Sequence, residues 1–293
     1  MDSLLTLLER PRQAFHLTCT TTAPGQTVTL QTITVKRPTR IVWGDGQQTA
    51  IAANTNTTLN HTYAASGAYG IVLYDAHALV SLDLRDAKLS GYNTRELRGC
   101  RQMHTFYLSG LGAGVINSAH MVGWGVSHTF YLYNLPSASI TLDSAHMEGW
   151  GVSDMFYLHN LPSASITLDS AHMVGWGVSD RFSLYNLPSA SITLSAADML
   201  AWNSPDEIRI NNCGLSAAAV TQAILGAWGI RNLMTHDTPI LDIGGASNAV
   251  PGGAYAEENP PSTDLGYIYE LVNDTEGEGF YPWAVVWNGG SAP

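Results

Sequence analysis

Charge is what this chain has least of. Asp, Glu, Lys and Arg make up only 13% of its 293 residues, about half the usual share. Positive charge is scarcest. Residues 102–293 hold three basic side chains, Arg181, Arg209 and Arg231, against seventeen acidic ones. Such a region cannot neutralise a run of phosphates, so no nucleic-acid partner is expected. Cysteine is also scarce. Cys19, Cys100 and Cys213 are far apart and odd in number, which argues against a disulfide framework or a metal site and for three buried small apolar residues. No stretch approaches the ~20 apolar residues of a membrane span, so no membrane insertion is expected. The opening residues have neither a basic lead nor a long apolar core, so the chain is expected to stay in the cytoplasm where it is made. Zinc spacings, phosphate-binding glycine loops and nucleophile motifs do not occur, and no cofactor, metal or catalytic residue is expected.

What the chain does have is 45% hydrophobic residues, ample for a core. Gly, Ser, Thr and Asn take the place of charge, as in many β-rich extracellular or virion-surface proteins. The charge is bipolar: residues 1–101 are net +3 and the rest net −14, giving −11 overall.

Internal repetition dominates. Trp124, Trp150, Trp176, Trp202 and Trp228 recur every 26 residues. Residues 130–153 read FYLYNLPSASITLDSAHMEGWGVS, and residues 156–179 repeat them with two changes. A third copy starts at Phe182 and diverges after Leu194, and a copy two residues shorter covers 106–127. Such a period marks a stacked array, because one short unit cannot bury its apolar face alone. The last full copy, residues 208–228, reads IRINNCGLSAAAVTQAILGAW. It resembles a leucine-rich repeat. Ile208 and Ile210 would point inward from a short strand, Asn212 and Cys213 would occupy the turn, and 217–228 would form a helix with Val220, Ile224 and Leu225 on one face. Equivalent strands are expected near residues 82, 106, 130, 156 and 182, with a further one near 239–243. The middle copies depart from the family pattern: Pro136, Pro162 and Pro188 follow the turn and Ile-Thr-Leu comes next. An extended return segment with a short turn at Ser-Ala-His-Met is expected there in place of a long helix.

Upstream, Trp43-Gly44-Asp45-Gly46, His61-Thr62-Tyr63 and Gly67-Ala68-Tyr69 resemble a polycystic-kidney-disease-type (PKD) module. That resemblance implies a β-sandwich with Tyr63 and Tyr69 between its sheets. The expected organisation is therefore mainly β with short helices. It comprises an N-terminal arm (1–13), a PKD/Ig-like β-sandwich (14–79) capping a leucine-rich-repeat-like solenoid of six to seven rungs (80–243), and a loop followed by a β-hairpin cap (244–293).

Four rows of residues stand out. Asn134, Asn160, Asn186 and Asn212 are expected to form an internal amide ladder, each side chain satisfying backbone groups of neighbouring turns. His120, His146 and His172, each in Ser-Ala-His-Met, should stack on adjacent rungs. Imidazole binds metals, but one straight row of nitrogens is no closed coordination shell, so the row counts only as candidate surface-binding residues. Trp124, Trp150 and Trp176 are candidates of the same kind, able to stack on sugars, against the competing reading of a space-filling core row. Asp143 should stack on Asp169 and Asp154 on Asp180, at a spacing near that of a retaining glycosidase pair; duplication alone produces such pairs.

PKD modules beside leucine-rich-like repeats occur in tailed-phage virion proteins and in bacterial surface proteins. The resemblance implies a non-enzymatic virion structural protein, a head decoration or tail component, made in the host cytoplasm. Its partners would be other capsid or tail proteins and a host-surface glycan or protein. The alternative is a bacterial cell-surface adhesin, and a polysaccharide-cleaving tailspike is the third reading.

Overall fold

The computed structural model describes residues 13–202, 205–233, 238–273 and 281–292. The expected N-terminal arm lies outside these apart from Gln13. The fold is mainly β with short helices.

Six strands come first: β1 (Phe15–Thr21), β2 (Gln26–Val35), β3 (Thr39–Val42), β4 (Gln48–Ile51), β5 (Thr57–Tyr63) and β6 (Gly67–Leu73). The strict alternation of buried and exposed residues in β1 gives it one apolar face. Trp43 and Tyr63 are fully buried, and the Tyr63 hydroxyl donates to the Trp43 carbonyl at 2.8 Å. Tyr69 is half-buried and stacks on Tyr63 at 4.0 Å.

From residue 79 on, the chain alternates between two sheets. One strand of each unit enters a long sheet: β7 (Leu79–Asp83), β9 (Thr105–Ser109), β11 (Thr129–Tyr133), β13 (Met155–His159), β15 (Arg181–Tyr185), β17 (Glu207–Asn211) and β18 (Ile240–Ile243). The return strands are β8 (Leu89–Tyr92), β10 (Val115–Asn117), β12 (Ser139–Asp143), β14 (Ser165–Asp169) and β16 (Ser191–Thr193). All the long-sheet pairs from β7 to β18 are parallel, in the register Leu82, Phe106, Phe130, Phe156, Phe182, Ile208, Leu241. The strands β10, β12, β14 and β16 form a second parallel sheet. The Pro-Ser-Ala-Ser-Ile-Thr-Leu legs are thus strands, and each Ser-Ala-His-Met is a single 3-10 turn.

The long sheet extends into the N-terminal strands. Strand β2 pairs with β7, so β5 and β2 extend the long sheet, while β8 joins β1 in a five-stranded sheet. The first rung therefore has no open N-terminal edge, which limits stray strand pairing.

Between the sheets lie rows of identical side chains. Phe106, Phe130, Phe156 and Phe182 stack at 5.6–5.7 Å, all fully buried. In the later part α1 (Ala196–Met199) replaces a 3-10 turn, and α2 (Ala217–Ile230) replaces the return strand. Its buried face carries Val220, Ala223, Ile224 and Ala227, while Leu225, expected inward, is only half-buried.

The C-terminal segment differs from expectation. Tyr-Ile-Tyr-Glu-Leu alternates like a strand, yet it lies in a helix, α3 (Asp264–Asn273). Ile268 and Leu271 fall on one buried helical face, and the Thr263 hydroxyl caps the start by accepting the Gly266 N–H at 3.1 Å. The hairpin is tighter than expected: β19 (Ala284–Trp287) adds parallel to β18, and β20 (Gly290–Ala292) turns back on it.

Candidate functional site on the open face of the long sheet

In the repeated Phe-Tyr-Leu-Tyr the first and third residues are buried between the sheets. A strand sends alternate side chains to opposite faces, so the tyrosines go to the other side. The open face consequently carries three rows. The central one reads Tyr107, Tyr131, Tyr157, Ser183, Arg209. Tyr107 stacks on Tyr131 at 3.8 Å and Tyr131 on Tyr157 at 4.3 Å. Arg85 closes the first end, its guanidinium 4.2 Å from the centre of the Tyr107 ring. Beside this row run Tyr133, His159 and Tyr185, with His159 5.0 Å from Tyr133 and 4.3 Å from Tyr185. On the other side are Met155, Arg181 and Glu207.

At β15 the central row breaks, because Ser183 stands where the three preceding strands have Tyr. The break opens a cavity of about 370 Å³ walled by Tyr157, His159, Tyr185, Arg181, Glu207 and Arg209, near the lower end of the range for ligand pockets. Ser183 forms its floor. Glu207 ties both cations together: the Nε atoms of Arg181 and Arg209 lie 2.7 and 2.8 Å from its Oε2. Asp242 is 4.0 Å from Arg209. Burial raises the Tyr157 phenol and lowers the His159 imidazole from their ordinary values, so both favour their neutral forms. Two of the three basic side chains after residue 101 thus sit in this one place, balanced by two acids.

The rows singled out from sequence lie elsewhere. Trp124, Trp150 and Trp176 are only 0–2% exposed; they are core residues and cannot bind a surface ligand. Glycines with φ of +76° to +89°, Gly123, Gly149 and Gly175, precede them and turn the chain so that each indole enters the core. His120, His146 and His172 are half-buried brackets between units. Their Nδ1 atoms lie 2.9–3.1 Å from the hydroxyls of Thr94, Ser118 and Ser144 one unit back. Those hydroxyls are fully buried and also accept the backbone N–H of Asn117, Asp143 and Asp169. Each hydroxyl still has its proton and a second lone pair with which to meet the imidazole.

The asparagine row is corrected too. Asn134 is exposed, and Asn160, Asn186 and Asn212 are half-buried rather than internal. All four have φ of +51° to +55°. Continuing the strand register by a few residues places Gly110 at one end of the row and Gly245 at the other, again with positive φ. Asn is there because it tolerates the left-handed turn that ends each strand. The amides bond one another, Asn186 to Asn160 at 2.9 Å and Asn212 to Asn186 at 2.8 Å, and the Asn212 amide oxygen also accepts the Ser247 N–H at 3.3 Å. The residue that serves buried backbone is Asn248, which was not singled out. It is 3% exposed, donates to the carbonyls of Ile210, Ile243 and Gly244, and accepts from the N–H of Cys213 and Leu215.

Asp143 and Asp169 cap the short turns by accepting the N–H of Ala145 and Ala171. Asp154 accepts the Ser153 hydroxyl at 2.9 Å. The three cysteines are buried and unpaired, and burial pushes the Cys100 and Cys213 thiols up to about 12. Among the described residues no group of three or more His, Cys, Asp or Glu is placed to hold a metal, and no helix is long and apolar enough to cross a membrane.

The sequence matches no family model, and no curated protein or solved structure matches it.

What sequence reasoning missed was the open face. The signal was present: the first tyrosine of the repeated Phe-Tyr-Leu-Tyr, and the two departures from it, Ser183 and Arg209.

Proposed function

We propose that this chain is a non-enzymatic virion structural protein of tailed-phage type, a head decoration or tail component. In this reading a PKD-like β-sandwich caps a leucine-rich-repeat-like solenoid, and the solenoid presents its open sheet face to a ligand. The observation that carries the binding part is the row of tyrosines on the open face, interrupted at Ser183 by a cavity with balanced charges. Aromatic side chains gathered on a surface are characteristic of contact sites, since they bring area and a polar tip at low entropic cost. Asp143 and Asp169, one of the two carboxylate pairs behind the rival catalytic reading, cap short 3-10 turns.

The more basic N-terminal part would meet the acidic assembly, with the repeats projecting outward. Lys36, Arg37 and Arg40 are the natural contacts, and replacing them with Glu should weaken co-sedimentation with particles in a salt-sensitive way. Antibodies against the chain should decorate phage particles made from the genome that encodes it. Labelling confined to the bacterial envelope would replace this reading with the alternative, a cell-surface adhesin.

A further inference from the structure

Stacked rungs repeat about every 4.8 Å. Tyr157 and Arg209 stand two rungs apart in the central row, so the gap over Ser183 spans roughly 9–10 Å. The cavity beside Tyr157, about 370 Å³, has room for one ring. The faces of Tyr107 and Tyr131 are largely covered by their neighbours. Tyr157 is different, since toward β15 its row continues into a serine rather than a ring. Ser183 itself is only 1% exposed, enclosed by its neighbours, so the accessible lining of the cavity is Tyr157, His159, Tyr185, Arg181, Glu207 and Arg209.

We propose that the gap over Ser183 is a binding slot for one neutral pyranose ring of a glycan. The inference rests on the reading of this face as a binding surface and adds its ligand. A pyranose has a C–H face that stacks on an aromatic ring, and a rim of hydroxyls that both donate and accept. The slot offers the matching set. Tyr157 gives the ring face. Arg181 and Arg209 supply donors, and Glu207, shared between them, is a planar acceptor suited to adjacent hydroxyls. His159 and Tyr185 can each donate or accept.

Charge selects a neutral sugar over an acidic one. Arg181 and Arg209 are offset by Glu207 and Asp242, and the surrounding region is net −14. A polyanionic glycan would find no spare positive charge and would be repelled by the rest of the surface. An aromatic side chain of a protein partner would fit the ring space but would leave the polar rim of the slot unanswered, a cost in desolvation.

The repeat itself supplies the test variant. Ser183→Tyr restores the residue that three previous strands carry, fills the gap and continues the stack, so it should fold at least as well as the parent. Native electrophoresis would be run in gels containing dextran, mannan or galactomannan, and in a gel containing polygalacturonate. The parent chain should be retarded by at least one neutral polymer. Ser183→Tyr and Tyr157→Ala should each weaken that retardation by at least about tenfold in apparent Kd, with the thermal midpoint of Ser183→Tyr unchanged or raised. Three results would overturn the proposal: no retardation by any neutral polymer, retardation that survives Ser183→Tyr, or retardation by polygalacturonate alone. Competition by N-acetyltyrosine amide without any response to neutral sugars would give the slot to a protein partner instead. The assay uses the purified chain, so its failure is separate from a failure to find the protein on virions.

Discussion

Two aromatic rows run along the same repeats, and they have opposite roles. The tryptophans at positions 124, 150 and 176 lie between the sheets, stacked at 6.3–6.5 Å and closed off from solvent. The tyrosines at 107, 131 and 157 stack more closely, yet half of each stays on the open face. Duplication produced both rows by the same mechanism. Burial decides which one holds the fold together and which one can meet a ligand. The same division separates the amides: Asn248 serves backbone groups inside, while Asn160 and its row neighbours end strands at the surface.

The comparison breaks most sharply at Trp150. It touches Trp124, Trp176 and Phe130 in the core. Trp150→Ala should cost about 3–5 kcal/mol through lost burial and the cavity left behind. Tyr131→Ala should cost about 1 kcal/mol, since its ring is only partly buried and the loss is chiefly stacking. Denaturant melts of the two variants would decide it. Equal losses would mean that the open face is as structural as the core.

Asn248 comes next. Asn248→Ala removes a side chain that bonds five backbone groups, and should cost on the order of 3 kcal/mol by orphaning buried polar atoms. The effect should be local to the end of the long sheet, with amide exchange rising first in Cys213, Leu215 and their neighbours. A loss below about 1 kcal/mol would mean that water replaces the amide.

Acid should act through histidines that are held neutral. Burial lowers His104, with His128 and Lys36 adding to it; burial lowers His120, with Arg98 and Arg95 adding to it; burial alone lowers His159. A histidine with a lowered folded value binds fewer protons folded than unfolded. Its contribution is complete above the unfolded value of about 6.5 and is lost as pH falls through that value toward the folded one. The denaturant midpoint should therefore be flat above pH 7 and decline between pH 6.5 and 5. His159→Gln should remove part of the decline; a midpoint constant from pH 7.5 to 5 would exclude all three groups.

Much of the architecture could be read from the repeat. The 26-residue spacing and the alternation in Phe-Tyr-Leu-Tyr contain the strand register, because a slip of one residue would bury Tyr131 and expose Phe130. The helix at 264–273 could not be read that way. Tyr267, Ile268, Tyr269 and Leu271 satisfy either period over so short a run, and packing against the end of the sheet decides. The tryptophans misled in another way: period alone does not say which side of the chain a row faces, and only the glycine turns before them send the indoles inward. The slot at Ser183 was legible only as an exception, a residue that breaks a pattern it could have kept.

The smallest effect should come from the outer amide row, and it separates two reasons for having asparagine there. If the amide bonds were what matter, any residue lacking the amide would destabilise alike. If the left-handed backbone matters, glycine should substitute freely and alanine should not. Asn160 has φ +53° and accepts a bond from Asn186 at 2.9 Å, while its own backbone N–H is already bonded to the Tyr185 carbonyl at 3.1 Å. Removing the half-buried amide therefore orphans only the Asn186 amide, which can turn to water. Asn160→Ala keeps a Cβ in the left-handed region and should cost about 1–2 kcal/mol. Asn160→Gly should fall within about 0.5 kcal/mol of the parent, the strain relieved offsetting the entropy lost on folding. The two variants differ by one methyl group on a surface turn, so the difference between their melts reports backbone conformation almost alone. Equal losses in both would return the row to the amide bonds and to the internal role expected from sequence.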